Sequence, residues 1–147
     1  MKLYREAELK HGRVCMLAFL GFLVGENFNP LFNNQITGPA IYQFQQAEKI
    51  LPFFWTPVLF TVGLVEGQTI LNGWEPPSGR DIGGRAILRK EYVNGDLGFD
   101  PLGLASRYDF DEIRTKELQN GRLAMLGVAG VVAQELVTGQ AVLARHP

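Results

Sequence analysis

The chain has 147 residues and a formal charge of −1, from 14 Lys and Arg against 15 Asp and Glu. Apolar residues make up 46% of it, with ten Phe and two Trp, which excludes a disordered chain, and the balanced charge argues against a nucleic-acid partner. The single cysteine, Cys15, excludes a disulfide scaffold and a cysteine-rich zinc site, and Ser78, Ser106 and Cys15 have no nucleophile-elbow motif around them.

Met1-Lys2-Leu3-Tyr4 leads straight into a helical pattern, with no charged and then apolar leader of the kind that marks a targeting peptide. That pattern predicts a first helix over about 4–27, containing the apolar run Val14 to Gly25. Asn, Gly and Pro then interrupt the chain before a short amphipathic piece around Ile41 to Lys49. The second apolar block, Ile50 to Val65, predicts a helix over about 50–73. A long loop from Trp74 to about Tyr108 holds Pro76-Pro77, Gly83-Gly84, Asn94-Gly95 and the run Gly98 to Leu104. A third helix is expected over about 111–137, capped by Asp109 or Asp111, with Glu112 in its first turn. The whole chain, 1–147, reads as a single domain.

No block reaches the roughly 18 unbroken apolar residues of a simple membrane span. Each continues past charged residues, however, and helices of about 24 to 27 residues measure about 36–40 Å, enough to cross a hydrocarbon core of about 30 Å with tilt. Lys2, Arg5, Lys10 and Arg13 precede the first block, and Arg80, Arg85, Arg89 and Lys90 follow the second. The loop between those blocks offers only Lys49 against Glu26 and Glu48. Three spans would put both basic regions on one side. A soluble three-helix bundle is the alternative that hydropathy leaves open.

An internal repeat favours the membrane reading. Glu8 to Asn27 aligns without gaps onto Glu117 to Leu136 at an offset of 109 residues, with eight identities in twenty, including Glu, Leu, Gly, Arg, Met, Leu, then Gly21 with Gly130 and Glu26 with Glu135. The shared pattern is E-x-x-[HN]-x-R before an apolar run. Glu and the residue three on share a helical face, whereas Arg at i+5 points roughly 140° away from its own Glu. A charge at membrane depth needs a partner, and a two-fold arrangement supplies it: Glu8 with Arg122, and Glu117 with Arg13. Gly12, Gly21, Gly121, Gly127 and Gly130 would allow the two helices to approach closely. Converging donors would suit a bare metal ion. Glu, His11 and Asn120, spread one per turn, suit separate metals that bring most of their own ligands, such as the magnesium of chlorophyll.

With these features the sequence resembles the light-harvesting chlorophyll-binding family. E-L-K-H-G-R-V-C-M-L-A at 8–18 and E-L-Q-N-G-R-L-A-M-L-G at 117–127 are similar to its two signature helices, G-D-L-G-F-D-P-L-G-L at 95–104 to the segment before its last long helix, and V-E-G at 65–67 to its middle-helix motif. The short loops and the I-T-G-P-A-I-Y-Q-F-Q-Q stretch resemble red-lineage antennae, the fucoxanthin-type chlorophyll a/c proteins and photosystem I-associated relatives.

The resemblance implies an all-α membrane protein of three transmembrane helices, the first and third crossed and related by pseudo-two-fold symmetry. It implies axial magnesium ligands at Glu8, His11, Glu66, Glu117, Asn120 and Gln134, ion pairs through Arg13 and Arg122, and a carotenoid end site at Phe99, Asp100, Pro101 and Leu102. His146 is a further possible chlorophyll ligand. The family's middle helix commonly carries an Arg three residues after its Glu. Thr69 stands there, so Glu66 lacks a same-helix counter-charge: either Arg80 or Arg85 folds back, or a neighbouring subunit helps, or the site is weak, and it is expected to be the weakest of those named. Val58 replaces a family Gln.

The implied cofactors are chlorophyll a, chlorophyll c or b, and fucoxanthin-type or related carotenoids, with no metal beyond chlorophyll magnesium. The implied role is non-enzymatic light harvesting, with no catalytic residues. The implied partners are a photosystem core, photosystem I favoured, neighbouring antenna subunits and thylakoid lipids. The implied place is the chloroplast thylakoid membrane, amino terminus stromal and carboxyl terminus lumenal. Photoprotective dissipation is the alternative within the family. A membrane enzyme or transporter with a borrowed pigment-binding helix pair is the alternative outside it.

Overall fold

A computed structural model describes residues 2–27, 35–75, 87–101, 103 and 107–142. Among them are four helices: α1 Lys2–Asn27, α2 Ala40–Ile50, α3 Trp55–Gly73 and α4 Phe110–Thr138. The ends of α4 follow from local chemistry. Asp109 is extended and its side chain accepts from the Asp111 amide at 3.3 Å, while Asp111 and Glu112 supply negative charge to the first turn. Gly139, at φ +66°, turns the chain out of the helix in the left-handed region and donates its amide to the Glu135 carbonyl.

The second apolar block is not one helix. Ile50 closes α2, Leu51 is extended at φ −132° and ψ 91°, and α3 begins at Trp55, bent by 113° from α2. Pro52 explains the break, because proline disfavours the helical region for the residue before it and brings no amide of its own to a continuing helix. The expected helix over about 50–73 is therefore shortened at its start, and the amphipathic piece before it is a helix in its own right. Trp55 meets Phe44 and Phe54 edge-on, at 6.4 and 5.0 Å between ring centroids, which braces the bend.

The closest packing is between α1 and α4, with α2 touching both, while α3 stands off. The first and fourth helices meet at two glycines. A Cβ built on Gly12 would lie 3.0 Å from the Gly121 Cα, and one built on Gly121 would lie 3.0 Å from the Gly12 Cα. Leu9 and Leu118 are buried beside this contact. Gly127 packs on the Phe19 ring. Gly21 and Gly130, expected to allow close approach, instead face open space. They lie nine residues beyond the contact, about 13 Å along each axis, where crossed helices have already diverged.

Among the described residues α4 is long and apolar enough to cross a membrane, and α2 with α3 pass the same test as a bent pair. The first half of α1 carries Lys2, Arg5, Glu6, Glu8, Lys10 and Arg13, which lowers its apolar character.

Candidate functional site

The repeat motif converges on the glycine contact. Arg13 on α1 donates from Nε to Glu117 Oε1 at 2.7 Å and from Nη2 to Glu117 Oε2 at 3.3 Å. Arg122 on α4 donates from Nε to Glu8 Oε1 at 2.5 Å. The two helices are thus tied twice, by the pairing expected from the repeat. Charge-assisted hydrogen bonds of this kind are stronger than neutral ones.

The two ties differ in cover. The side chains of Arg13 and Glu117 are 33% and 29% exposed, against 55% and 27% for Arg122 and Glu8. The difference comes from the loop before α4. Arg13 Nη2 also donates to the Gly95 carbonyl at 2.7 Å, so this loop lies over one pair. Arg122 instead lines an open cleft of about 530 Å³ with Arg5, Asp111, Arg114 and Thr115.

Glu6 anchors that loop. It is 3% exposed and accepts from the Tyr92 hydroxyl at 3.1 Å, the Asn94 amide side chain at 3.2 Å and the Gly95 backbone N–H at 2.9 Å. Asn94 Nδ2 also donates to the Lys2 carbonyl. Gly95 sits at φ +81°, and a Cβ there would press on Leu9 and Arg13 at 3.0 Å, so both backbone angle and space require glycine. Burial, the Glu6 charge and the hydrogen bond to Glu6 push the Tyr92 phenol up to about 12, so it stays a donor well into alkaline pH. Sequence reading marked Asn94-Gly95 as a turn but gave Glu6 no role.

The single donors lie one turn beyond the ties. His11 is exposed, and its Nδ1 lies 2.7 Å from the Ala7 carbonyl. A carbonyl only accepts, so this bond places the ring proton on Nδ1 and leaves Nε2 with its lone pair outward. Asn120 is exposed on α4, as is Gln134 about one turn from the helix end. Among the described residues no three His, Cys, Asp or Glu side chains converge as a bare metal ion would require.

Glu66 corrects an expectation. Its carboxylate is not unpaired: Lys10 Nζ, from α1, lies 2.5 Å from its Oε2. The counter-charge comes from another helix at a position that spacing within α3 cannot reveal. The ranking of Glu66 as the weakest site loses its premise. Arg80 and Arg85 lie outside the described residues.

Phe99, Asp100 and Pro101 form an exposed turn, closed by the Gly103 amide on the Asp100 carbonyl at 3.3 Å. Leu102 and His146 lie outside the described residues. A second carboxylate pair also went without a role in the sequence reading. Glu135 is fully buried, its Oε2 accepts from the Ile41 amide at 2.9 Å, and the repeat-related Glu26 carboxyl interacts with it. Glu26 in turn accepts from the Val142 amide at 2.9 Å. These contacts fasten the start of α2 and the chain after α4 to the crossed helices. The identity of Glu26 with Glu135 in the repeat was the signal available.

Comparison with known proteins shows the family. The family model described as chlorophyll A-B binding protein matches residues 1–136. Light-harvesting complex stress-related protein 1 of Chlamydomonas reinhardtii is 49% identical over 141 residues, covering 91% of this chain and 53% of that protein. A fucoxanthin-chlorophyll a-c binding protein of Isochrysis galbana is 48% identical over 140 residues, covering 92% and 64%. A chlorophyll a-b binding protein of Petunia hybrida is 31% identical over 159 residues, covering 95% and 54%. The chain spans about half the length of the stress-related relatives. Its family is one of all-helical membrane proteins that bind chlorophyll, not a family of enzymes. With a family-model match over residues 1–136 and relatives at 48–49% identity over more than nine-tenths of its length, the chain belongs to the chlorophyll a/b-binding protein family.

Proposed function

We propose that this chain is a light-harvesting subunit, which holds chlorophylls and carotenoids at fixed spacing and passes their excitation to a photosystem. The observation that carries the reading is the doubly ion-paired crossing of α1 and α4, with single N and O donors turned outward one turn beyond it. Chlorophyll magnesium takes one axial ligand of this kind, since its macrocycle fills four positions. Bound chlorophyll supplies the light absorption.

The residues fit that group. His11 with its proton on Nδ1 offers Nε2, the second-shell arrangement usual for metal-ligating histidines. Glu8, Glu117 and Glu66 are each neutralised by a cation from another helix yet retain carboxylate lone pairs. Asn120 and Gln134 offer amide oxygens. Broad apolar surface surrounds these donors: Val14 and Leu123, related by the repeat, are 66% and 69% exposed, and Leu17 and Leu126 are both 73% exposed. Such surface is costly in water and suits pigment and lipid.

In this reading α1, α3 and α4 are three spans, and α1 and α4 are related by a pseudo-two-fold axis through the Gly12–Gly121 contact. The reciprocal ties and matched exposures support it. The amino terminus faces the stroma and the carboxyl terminus the lumen, following the Lys and Arg distribution. The turn at Phe99, Asp100, Pro101 and Leu102 seats a carotenoid end. Chlorophyll a with chlorophyll c and a fucoxanthin-type carotenoid is the pigment set that the name of the Isochrysis galbana relative supports. Photosystem I and neighbouring antennae are the partners we propose.

The test is pigment extraction from the purified protein, with fluorescence excitation spectra for carotenoid-to-chlorophyll transfer. A colourless protein, monodisperse without detergent, would overturn the reading. The stress-related relatives, at 49–50% identity, support a second role in dissipating excitation. A chlorophyll fluorescence lifetime that shortens as pH falls would select it over harvesting alone.

A further inference from the structure

The repeat that builds α1 and α4 is broken at one charged position beside the donors. Lys10 on α1 aligns with Gln119 on α4. The lysine is the copy that reaches a third helix: its Nζ lies 2.5 Å from Glu66 Oε2. The backbones of α1 and α3 do not pack closely, so the long lysine stem bridges a gap that the helices leave open. Within α3 nothing replaces it. Thr69, one turn after Glu66, is uncharged and 1% exposed, and its hydroxyl donates to the Val65 carbonyl at 3.1 Å.

The chemistry of the donor matters. An arginine fork engages both oxygens of a carboxylate, as Arg13 does with Glu117. An ammonium is a point donor and here takes one oxygen. Among the described residues nothing bonds the other, Glu66 Oε1.

We propose that Lys10 is the positioning residue of the Glu66 site: it brings a counter-charge from another helix and occupies Oε2, leaving Oε1 for the magnesium of one tetrapyrrole. The proposal rests on the reading of Glu66 as an axial ligand. It assigns the Lys/Gln asymmetry of the repeat a purpose, since α3 flanks α1 and needs its cation there. A charge left without a partner in apolar surroundings is costly, so a carboxylate there needs a nearby cation whereas a neutral amide does not.

Pigment stoichiometry and red-band difference spectra of five variants assembled with the full pigment set test this. Glu66→Ala tests the underlying reading and should lose about one chlorophyll per chain; a full complement there overturns the ligand reading itself. Lys10→Met should lose the same chlorophyll, with the same difference spectrum. Lys10→Arg should retain it. Lys10→Met combined with Glu66→Gln should also retain it, because a neutral amide oxygen ligates without needing a counter-charge, and Glu66→Gln alone is the control that this oxygen suffices. A Lys10→Met protein with full pigment overturns the proposal, as does a double variant that loses the pigment while Glu66→Gln keeps it. Should Lys10→Met fail to assemble, assembly of the double variant supports the proposal. Failure of both overturns it, because Lys10 then serves the fold rather than the charge of Glu66.

Discussion

Replacing Gly12 with Ala places a methyl group 3.0 Å from the Gly121 Cα, where carbon atoms prefer about 3.5–4.0 Å. The obstacle is backbone, which has no rotamer to yield, so the helices must separate by about half an ångström or more at their closest point. Overpacking of this kind costs about 1–3 kcal/mol. The strain falls on the adjacent ties, since Arg13–Glu117 and Arg122–Glu8 already sit at 2.7 and 2.5 Å and can only lengthen. Gly121→Ala should behave alike, with its methyl 3.0 Å from the Gly12 Cα. Gly21→Ala and Gly130→Ala supply the comparison: both glycines face open space, so alanine there should be neutral or stabilising by up to about 1 kcal/mol through helix propensity. Thermal unfolding of the four pigment-loaded variants in detergent, followed by visible circular dichroism, reads all of these. Equal midpoints for Gly12→Ala and Gly21→Ala would refute the claim that the crossing is set by contact between two glycine backbones.

His11→Phe should remove about one chlorophyll per chain and leave the helix intact; an unchanged chlorophyll-to-carotenoid ratio would reduce His11 to a packing residue. Arg122→Leu should lower the chlorophyll held at Glu8 and the yield of assembled protein, since among the described residues only Arg5, at 4.0 Å, remains paired with that carboxylate, and a full complement would refute the cross-helix pairing. Tyr92 is raised from 10.0 to about 12, so its contribution to stability is whole below pH 10 and lost as pH climbs through 12; ring-carbon NMR of labelled tyrosines that finds all four titrating near 10 would contradict the Glu6 clamp. Glu6→Gln should cost about 1.5–3 kcal/mol, the scale of a hydrogen bond to a charged group, and speed amide exchange at Gly95; unchanged exchange would show that the loop is held elsewhere.

The crossing of α1 and α4 was legible in the sequence because a repeat carries two kinds of information at once: which residues are equivalent, and that each Arg points away from its own Glu. Those two facts leave the opposite helix as the partner. The Lys10–Glu66 bridge was not legible, because it joins helices of different sequence across a gap, and no periodicity encodes such a span. The break at Pro52 was visible in principle but was smoothed over by the apolar run on both sides of it. The Glu6 clamp depends on a loop folding back over 80 residues of intervening chain, and the Asn94-Gly95 pair announced the turn without its destination.

The three long helices are unequal in a way that constrains how the molecule stands. With 19 residues, α3 is about 28 Å long, close to the thickness of a hydrocarbon slab, whereas α1 with 26 and α4 with 29 measure about 39 and 43 Å. In the proposed three-span arrangement, struts of different length that share one slab can keep their apolar parts level only if the longer two lean or let their ends emerge. The surplus is already dressed for water: Lys2 and Arg5 open α1, and Asp111, Glu112 and Arg114 open α4. In that arrangement lean would set the direction of every donor the two helices carry, so chain length, as much as ligand chemistry, would decide at what angles bound chromophores face one another.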